Sequence, residues 1–187
     1  MEEEIQMYLD EADELMQKAL DHTKSELIKI RAGKATPSML DGIHVEYYGS
    51  MTPLNQLSSV TTPDARTIMI KPFEKSTITA IEKAIINSDL GLNPQNDGEV
   101  IRLNIPSLTE ERRKTLVKQA KQEGENGKVS IRNVRKDINN ALKDLKKEGA
   151  SEDDIKRAEE KVQKLTDNYA SKIDNMMSQK ESEIMTV

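Results

Sequence analysis

TEERRKTLVKQAKQEGENGKVSIRNVRKDINNALKDLKKEG, residues 109–149, is the stretch that decides the fold. Within it Val117, Ala120, Gly124, Gly127, Ile131, Val134, Ile138, Ala141 and Leu145 recur at alternating steps of three and four. That spacing lines one side of an α-helix with small and apolar residues, the seam that coiled-coil partners bury. Lys114, Lys118, Lys121, Lys128, Arg132 and Arg135 follow the same rhythm one residue later, broken only by Glu125. One residue turns roughly 100° around a helix, so this basic stripe is expected beside the seam and facing water. From Arg112 to Lys136, nine Lys/Arg meet only Glu123 and Glu125, a local charge of +7 in a chain of net charge −5. An isolated charge run is usually a solvated helix face. A run held in register beside a seam instead displays a positive field that attracts a polyanion.

The helix is expected to start at Thr109 as N-cap, with Glu110 and Glu111 in its first turn, and to end near Gly149. About 38 residues at 1.5 Å each make a rod near 57 Å, too long to stand without partners. Two partners are legible. Residues 1–30 carry Ile5, Leu9, Ala12, Met16, Ala19, Thr23, Leu27 and Ile30 on one face and a charge of −6. After Gly149, Ser151 is expected to cap a third helix whose seam runs Ile155, Ala158, Val162, Leu165, Tyr169, Ile173, Met176 and Ile184. Three long helices with matching seams predict an antiparallel bundle. The acidic first helix is expected to lie against the basic second one, which carries +6 over residues 109–147.

Residues 31–106 break the helical rhythm with Pro, Gly, Thr and β-branched residues. Strands are expected at 43–48, 58–61, 67–71 and 100–104. Ser76 is expected to cap a helix carrying Ile78, Ile81, Ile85 and Ile86, ended by Gly91. The expected fold class is therefore α+β: an elongated three-helix bundle from residues 1–30 and 107–187, with a small β/α domain, residues 31–106, inserted between its first two helices. Two short crossings connect them. Gly33 and Pro37 end the first helix and Pro106 stops the last strand, so Ala32, Gly33, Lys34, Asn104, Ile105 and Pro106 form a candidate hinge.

Composition narrows the function. Charged residues make up 33% and aromatics 3%, with no Trp and no Cys. Disulfides, thiolate nucleophiles and zinc–thiolate sites are excluded. An acidic N-terminus and the lack of a membrane-length apolar run point to a cytoplasmic chain. His22 and His44 have no neighbouring nucleophile or metal-ligand pattern, so neither supports catalysis. Gly33-Lys34 and Gly127-Lys128 lack the phosphate-loop spacing. In the Tyr47-Tyr48 pair, one ring is expected in the core and one at the surface rather than both stacking on bases. The methionines read as bundle filler. The competing reading is a structural coiled-coil or chaperone-like tether, which accounts for the long helices but not for the inserted domain or the basic stripe.

Six separated motifs, IRAGKATPSMLDGIHVEYYG, TPLNQLSSV, SDLGLNP, LTEERRK, IRNVRKD and SEDD…VQKLTD, occur in one order over nearly the whole chain. With the interrupted-bundle topology, they make the chain resemble the bacterial ribosome recycling factors. The resemblance implies an L-shaped two-domain monomer, without cofactor or small-molecule substrate. Such a factor binds the large ribosomal subunit after termination and, with elongation factor G and GTP, helps take the post-termination complex apart. It implies that Arg132 and Arg135 contact ribosomal RNA, with Arg31, Arg112 and Arg113 nearer the bundle's elbow end; Lys128 joins them from the stripe. The inserted domain, by the same resemblance, swings about the hinge and meets the elongation factor. Lys34 departs from the family's more usual Arg, keeping the charge but not the bidentate geometry.

Overall fold

The computed structural model describes residues 1–186 and divides the chain into two compact units, one made of Met1–Ala32 with the chain from Glu110 onward, the other of Gly33–Thr109. The first holds three helices, α1 (Glu2–Lys29), α4 (Glu110–Lys147) and α5 (Glu152–Met185), each packed on the other two. α4 runs its expected 38 residues. At its end Gly149 takes φ +109°, and the N–H of Ala150 returns to the Leu145 carbonyl at 3.0 Å, which satisfies the last turn and reverses the chain into α5. α4 runs antiparallel to both α1 and α5: Thr23 faces Gly127, while Leu9 shares a cluster with Ile138, Leu142 and Leu145.

Burial follows the seams with two shifts on α4. Leu116 and Leu142 are the fully covered residues, while Val117 and Ala141, expected on the seam, are only half-buried. The straight helix drifts relative to a strict three–four alternation, so each end of the buried face moves onto a neighbouring position. In mid-bundle the helices close up over Gly124 and Gly127. A Cβ on Gly124 would lie 2.6 Å from Met177 Sδ, and one on Gly127 would strike Thr23 Oγ1 and meet Ile173 Cδ1 at 3.0 Å. Thr23 tolerates this burial because its hydroxyl donates to the Ala19 carbonyl at 2.9 Å, inside its own helix. Ser151 precedes α5 but makes no side-chain capping bond; Glu152, Asp153 and Asp154 supply the favourable charge at that end instead.

The second unit is a hairpin, a four-stranded antiparallel sheet and one helix. β1 (His44–Tyr47) pairs with β2 (Ser50–Pro53) across a turn in which Tyr48 and Gly49 both take positive φ, +46° and +81°. β3 (Ser58–Asp64), β4 (Thr67–Pro72), β5 (Pro94–Asn96) and β6 (Ile101–Asn104) form a sheet ordered β3-β4-β6-β5, and a single helical turn, α2 (Leu54–Leu57), leads into β3. β2, β5 and α2 carry no run of β-branched or apolar residues, so no periodic segment is legible there in sequence. Strand alternation sends Ile68, Ile70, Ile101 and Leu103 inward against Ile78, Ile81 and Ile85 of α3 (Ile78–Ile86). Three expectations for α3 are corrected. Ser76 does not cap it: a 3₁₀ turn, Lys75–Thr77, leads in, and Thr77 Oγ1 donates back to the Glu74 carbonyl at 2.7 Å. Ile86 is exposed, one position past the buried face. The helix stops at Asn87, not Gly91, with the Asn87 N–H on the Lys83 and Ile85 carbonyls.

Candidate nucleic-acid interface

The basic stripe lies on α4, and the structure divides it by what each cation touches. Lys121, Lys128 and Arg135 are each seven residues apart and lean toward α5. Lys121 Nζ meets Glu181 at 3.9 Å, Lys128 Nζ meets Asp174 at 2.6 Å, and Arg135 donates to Gln163 Oε1 at 3.4 Å. Gln163 in turn donates to Asp167 at 2.9 Å. Arg132 instead reaches back along its own helix to Glu125 Oε1 at 3.0 Å. The expectation that these charges all stand free in water is corrected here. Lys128 keeps only 24% of its side-chain surface, and Arg135 is half-buried in the α4–α5 groove. The acidic first helix does lie against α4, as expected, but among the described residues the inter-helical pairs of these cations go to α5. Besides shared apolar clusters, α1 and α5 are tied by a part-buried polar contact in which Tyr169 OH donates to Asp13 Oδ1 and lies 3.2 Å from Gln17 Oε1. Burial, and then the bond to Asp13, push the Tyr169 phenol up to about 12, so it stays a neutral donor across the ordinary pH range.

Arg112 and Arg113 stand in the first turn of α4, and Arg31 follows the last turn of the antiparallel α1, which puts all three toward one end of the bundle. Arg31 and Arg112 are exposed. Arg113 is half-buried, and its Nε is buried without a hydrogen-bond partner. The cations therefore extend from that end along α4, with Arg132 and Arg135 one turn apart, a spacing at which two guanidiniums can engage neighbouring phosphates.

Of the candidate hinge residues, Gly33 takes φ +76°, with Leu108 Cγ where a Cβ would need room, 2.6 Å away. Ala32 and Gly33 are half-buried and Lys34 is exposed. Asn104 and Ile105 are placed inside the sheet unit: Asn104 pairs with Thr67, and the buried Ile105 donates its N–H to the Arg66 carbonyl at 2.7 Å. The Ala35 N–H is held on the Ala65 carbonyl at 2.8 Å. Both crossings are thus pinned to the β3–β4 turn, and the division between units falls at Ala32/Gly33 and Thr109/Glu110, past Pro106.

His22 and His44 are exposed. Among the described residues no cluster of His, Cys, Asp or Glu could hold a metal ion, and no helix is long and apolar enough to cross a membrane. The Tyr pair divides as expected, Tyr47 against the core and Tyr48 at the surface with the rings edge to face. Sequence reading missed the α5 partners Gln163, Asp174 and Glu181. For Asp174 and Glu181 the signal was the repeat of seven from Asp167 to Asp174 to Glu181, which matches that of the cations opposite; Gln163 lies off it.

Against known proteins, residues 23–185 match the family model described as Ribosome recycling factor. The chain is 64% identical over 185 residues to the ribosome-recycling factor of Amoebophilus asiaticus, covering 99% of this chain and all of that one. It is 59% identical to that of Cytophaga hutchinsonii, again over 99% and 100% of the two chains. A solution structure of the ribosome recycling factor superposes with a TM-score of 0.74 at 41% identity, over 98% of each chain. The Thermus thermophilus ribosome recycling factor, in a model set with Escherichia coli elongation factor G bound to the Escherichia coli post-termination complex, superposes at 0.61 with 45% identity, covering 97% of this chain and 99% of that one. With a family match across most of its length and relatives aligned end to end, this chain belongs to the ribosome recycling factor family.

Proposed function

We propose that this chain binds the large ribosomal subunit after translation termination and, with elongation factor G and GTP, promotes disassembly of the post-termination complex in the cytoplasm. The observation that carries the reading is the cationic face of α4 on a chain that aligns end to end with named recycling factors, one of them placed in models with elongation factor G bound to a post-termination complex. The chain is not an enzyme. GTP hydrolysis belongs to the elongation factor, and the bundle supplies a rigid phosphate-binding rod. Arg31, Arg112, Arg113, Lys128, Arg132 and Arg135 are the residues assigned to ribosomal RNA, through charge-assisted bonds to backbone phosphates. The small unit is assigned to the elongation factor. Reorientation of the units is assigned to Ala32–Gly33 and the stretch after Pro106, because Asn104 and Ile105 are hydrogen-bonded into the sheet unit.

The test is splitting of post-termination ribosomes by purified monomeric protein with elongation factor G and GTP, followed by light scattering. Subunit dissociation that requires all three is the expected result. Dissociation at the same rate without this protein would overturn the assignment.

A further inference from the structure

The cations assigned to RNA do not carry equal free charge. Lys128 is bridged to Asp174 at 2.6 Å and Arg132 to Glu125 at 3.0 Å, whereas Arg135 meets the neutral amide of Gln163. The two carboxylates are about half exposed, 51% for the Asp174 side chain and 55% for Glu125, so they stand at the surface that an approaching phosphate must reach. A phosphate that takes Lys128 or Arg132 must therefore displace a carboxylate already there, and it is repelled by that carboxylate afterwards. Neither acid is needed for the seam: both side chains project from it, and Glu125 joins a residue of its own helix.

We propose that Asp174 and Glu125 act as electrostatic brakes on the α4 face, lowering its affinity for phosphate backbone in general. Only a surface that engages several cations together then overcomes the displaced pairs, and the factor can leave after each cycle. This rests on the assignment of the α4 face to ribosomal RNA. Selectivity arises from an element that weakens wrong complexes, not from added attraction. Of Lys128, Arg132 and Arg135, the last, opposite Gln163, is left undamped.

Three variants test it, with melting curves to establish folding: Glu125→Gln, Asp174→Asn and the reverse change Gln163→Glu. Affinity is measured for large ribosomal subunits and for a plain RNA duplex across a salt series. Exposed pairs of this kind correspond to about two- to fivefold in binding. Glu125→Gln and Asp174→Asn should tighten both complexes by about that factor, with a larger gain on the plain duplex, and each should steepen the log–log salt slope by about one unit. Gln163→Glu should weaken both and flatten the slope. If Asp174→Asn fails to fold, the other two, which break no contact between helices that involves a charge pair, still decide. Unchanged or weaker binding by folded Glu125→Gln, alongside a clear loss for Arg132→Ala, would overturn the brake and leave the RNA face standing. No loss for Arg132→Ala would overturn the assignment of the face and the brake with it.

Discussion

Gly124 and Gly127 look interchangeable in sequence, yet replacing each by alanine should move stability in opposite directions. Alanine is favoured over glycine within a helix by about 0.8–1.0 kcal/mol. At Gly124 the atoms nearest the new methyl all belong to Met177, whose Sδ at 2.6 Å and Cγ at 3.3 Å are part of a flexible, half-buried thioether that can rotate aside. Most of the helix gain should survive, so Gly124→Ala is expected to stabilise by up to about 0.8 kcal/mol. At Gly127 the methyl strikes Thr23 Oγ1, with Thr23 Cγ2 at 3.2 Å and Ile173 Cδ1 at 3.0 Å. Thr23 is β-branched, buried and tied to Ala19, so turning it aside is restricted at χ1 and costs that bond. Relief requires α1 to move off α4, and overpacking of this kind costs about 1–3 kcal/mol, more than the helix gain. Net destabilisation of up to about 2 kcal/mol is expected, and Thr23→Ala should recover part of it in the Gly127→Ala background, as residues in contact do. Urea unfolding of the two single variants and the Thr23→Ala/Gly127→Ala double variant reads all of these. A Gly127→Ala protein at least as stable as Gly124→Ala would refute the close approach of α1 and α4.

The Tyr169 phenol, held up to about 12 against an ordinary 10.0, makes stability depend on alkaline pH. Its contribution is complete below pH 10 and is lost as pH rises from 10 toward 12, because the unfolded chain ionises first; discounted for solvent screening this is roughly 1–2 kcal/mol. Tyr169→Phe should abolish that dependence in unfolding curves taken from pH 8 to 12. Arg135→Ala removes a long 3.4 Å bond to Gln163, so stability should change by about 0.5 kcal/mol or less while binding to large subunits weakens by about 1.5–3 kcal/mol; wild-type affinity in the folded variant would remove Arg135 from the interface. Gly33→Ala forces a side chain into φ +76° and onto Leu108, at a cost of at least about 1 kcal/mol. Faster hydrogen exchange at the Ala35 and Ile105 amides would report it, and unchanged protection would show that the strain is absorbed elsewhere.

Much of this was readable from the chain. The extent of α4 follows from local chemistry: a seam in steps of three and four, acids at its start, lysines and a glycine at its end. The same holds for α1, for α5 and for β1, β3, β4 and β6, because periodicity and end signals are properties of neighbouring residues. Ser76 misled because a threonine one position on made the turn with its own hydroxyl. Ile86 misled because an apolar residue one step past a buried face looks the same in sequence as one on it.

The free charge of the interface could not be read in this way. Lys128 and Arg135 belong to one stripe in the sequence, but Lys128 meets a carboxylate on α5 and Arg135 meets an amide. Which it meets depends on the register of two antiparallel helices across a turn. So the sequence alone determined that there is a bundle, an inserted sheet unit and a basic stripe, since each is a repeat along the chain. Only the tertiary structure decided which cations of the stripe meet a carboxylate and which meet an amide, because ion pairing between helices depends on distances that no spacing along one helix contains.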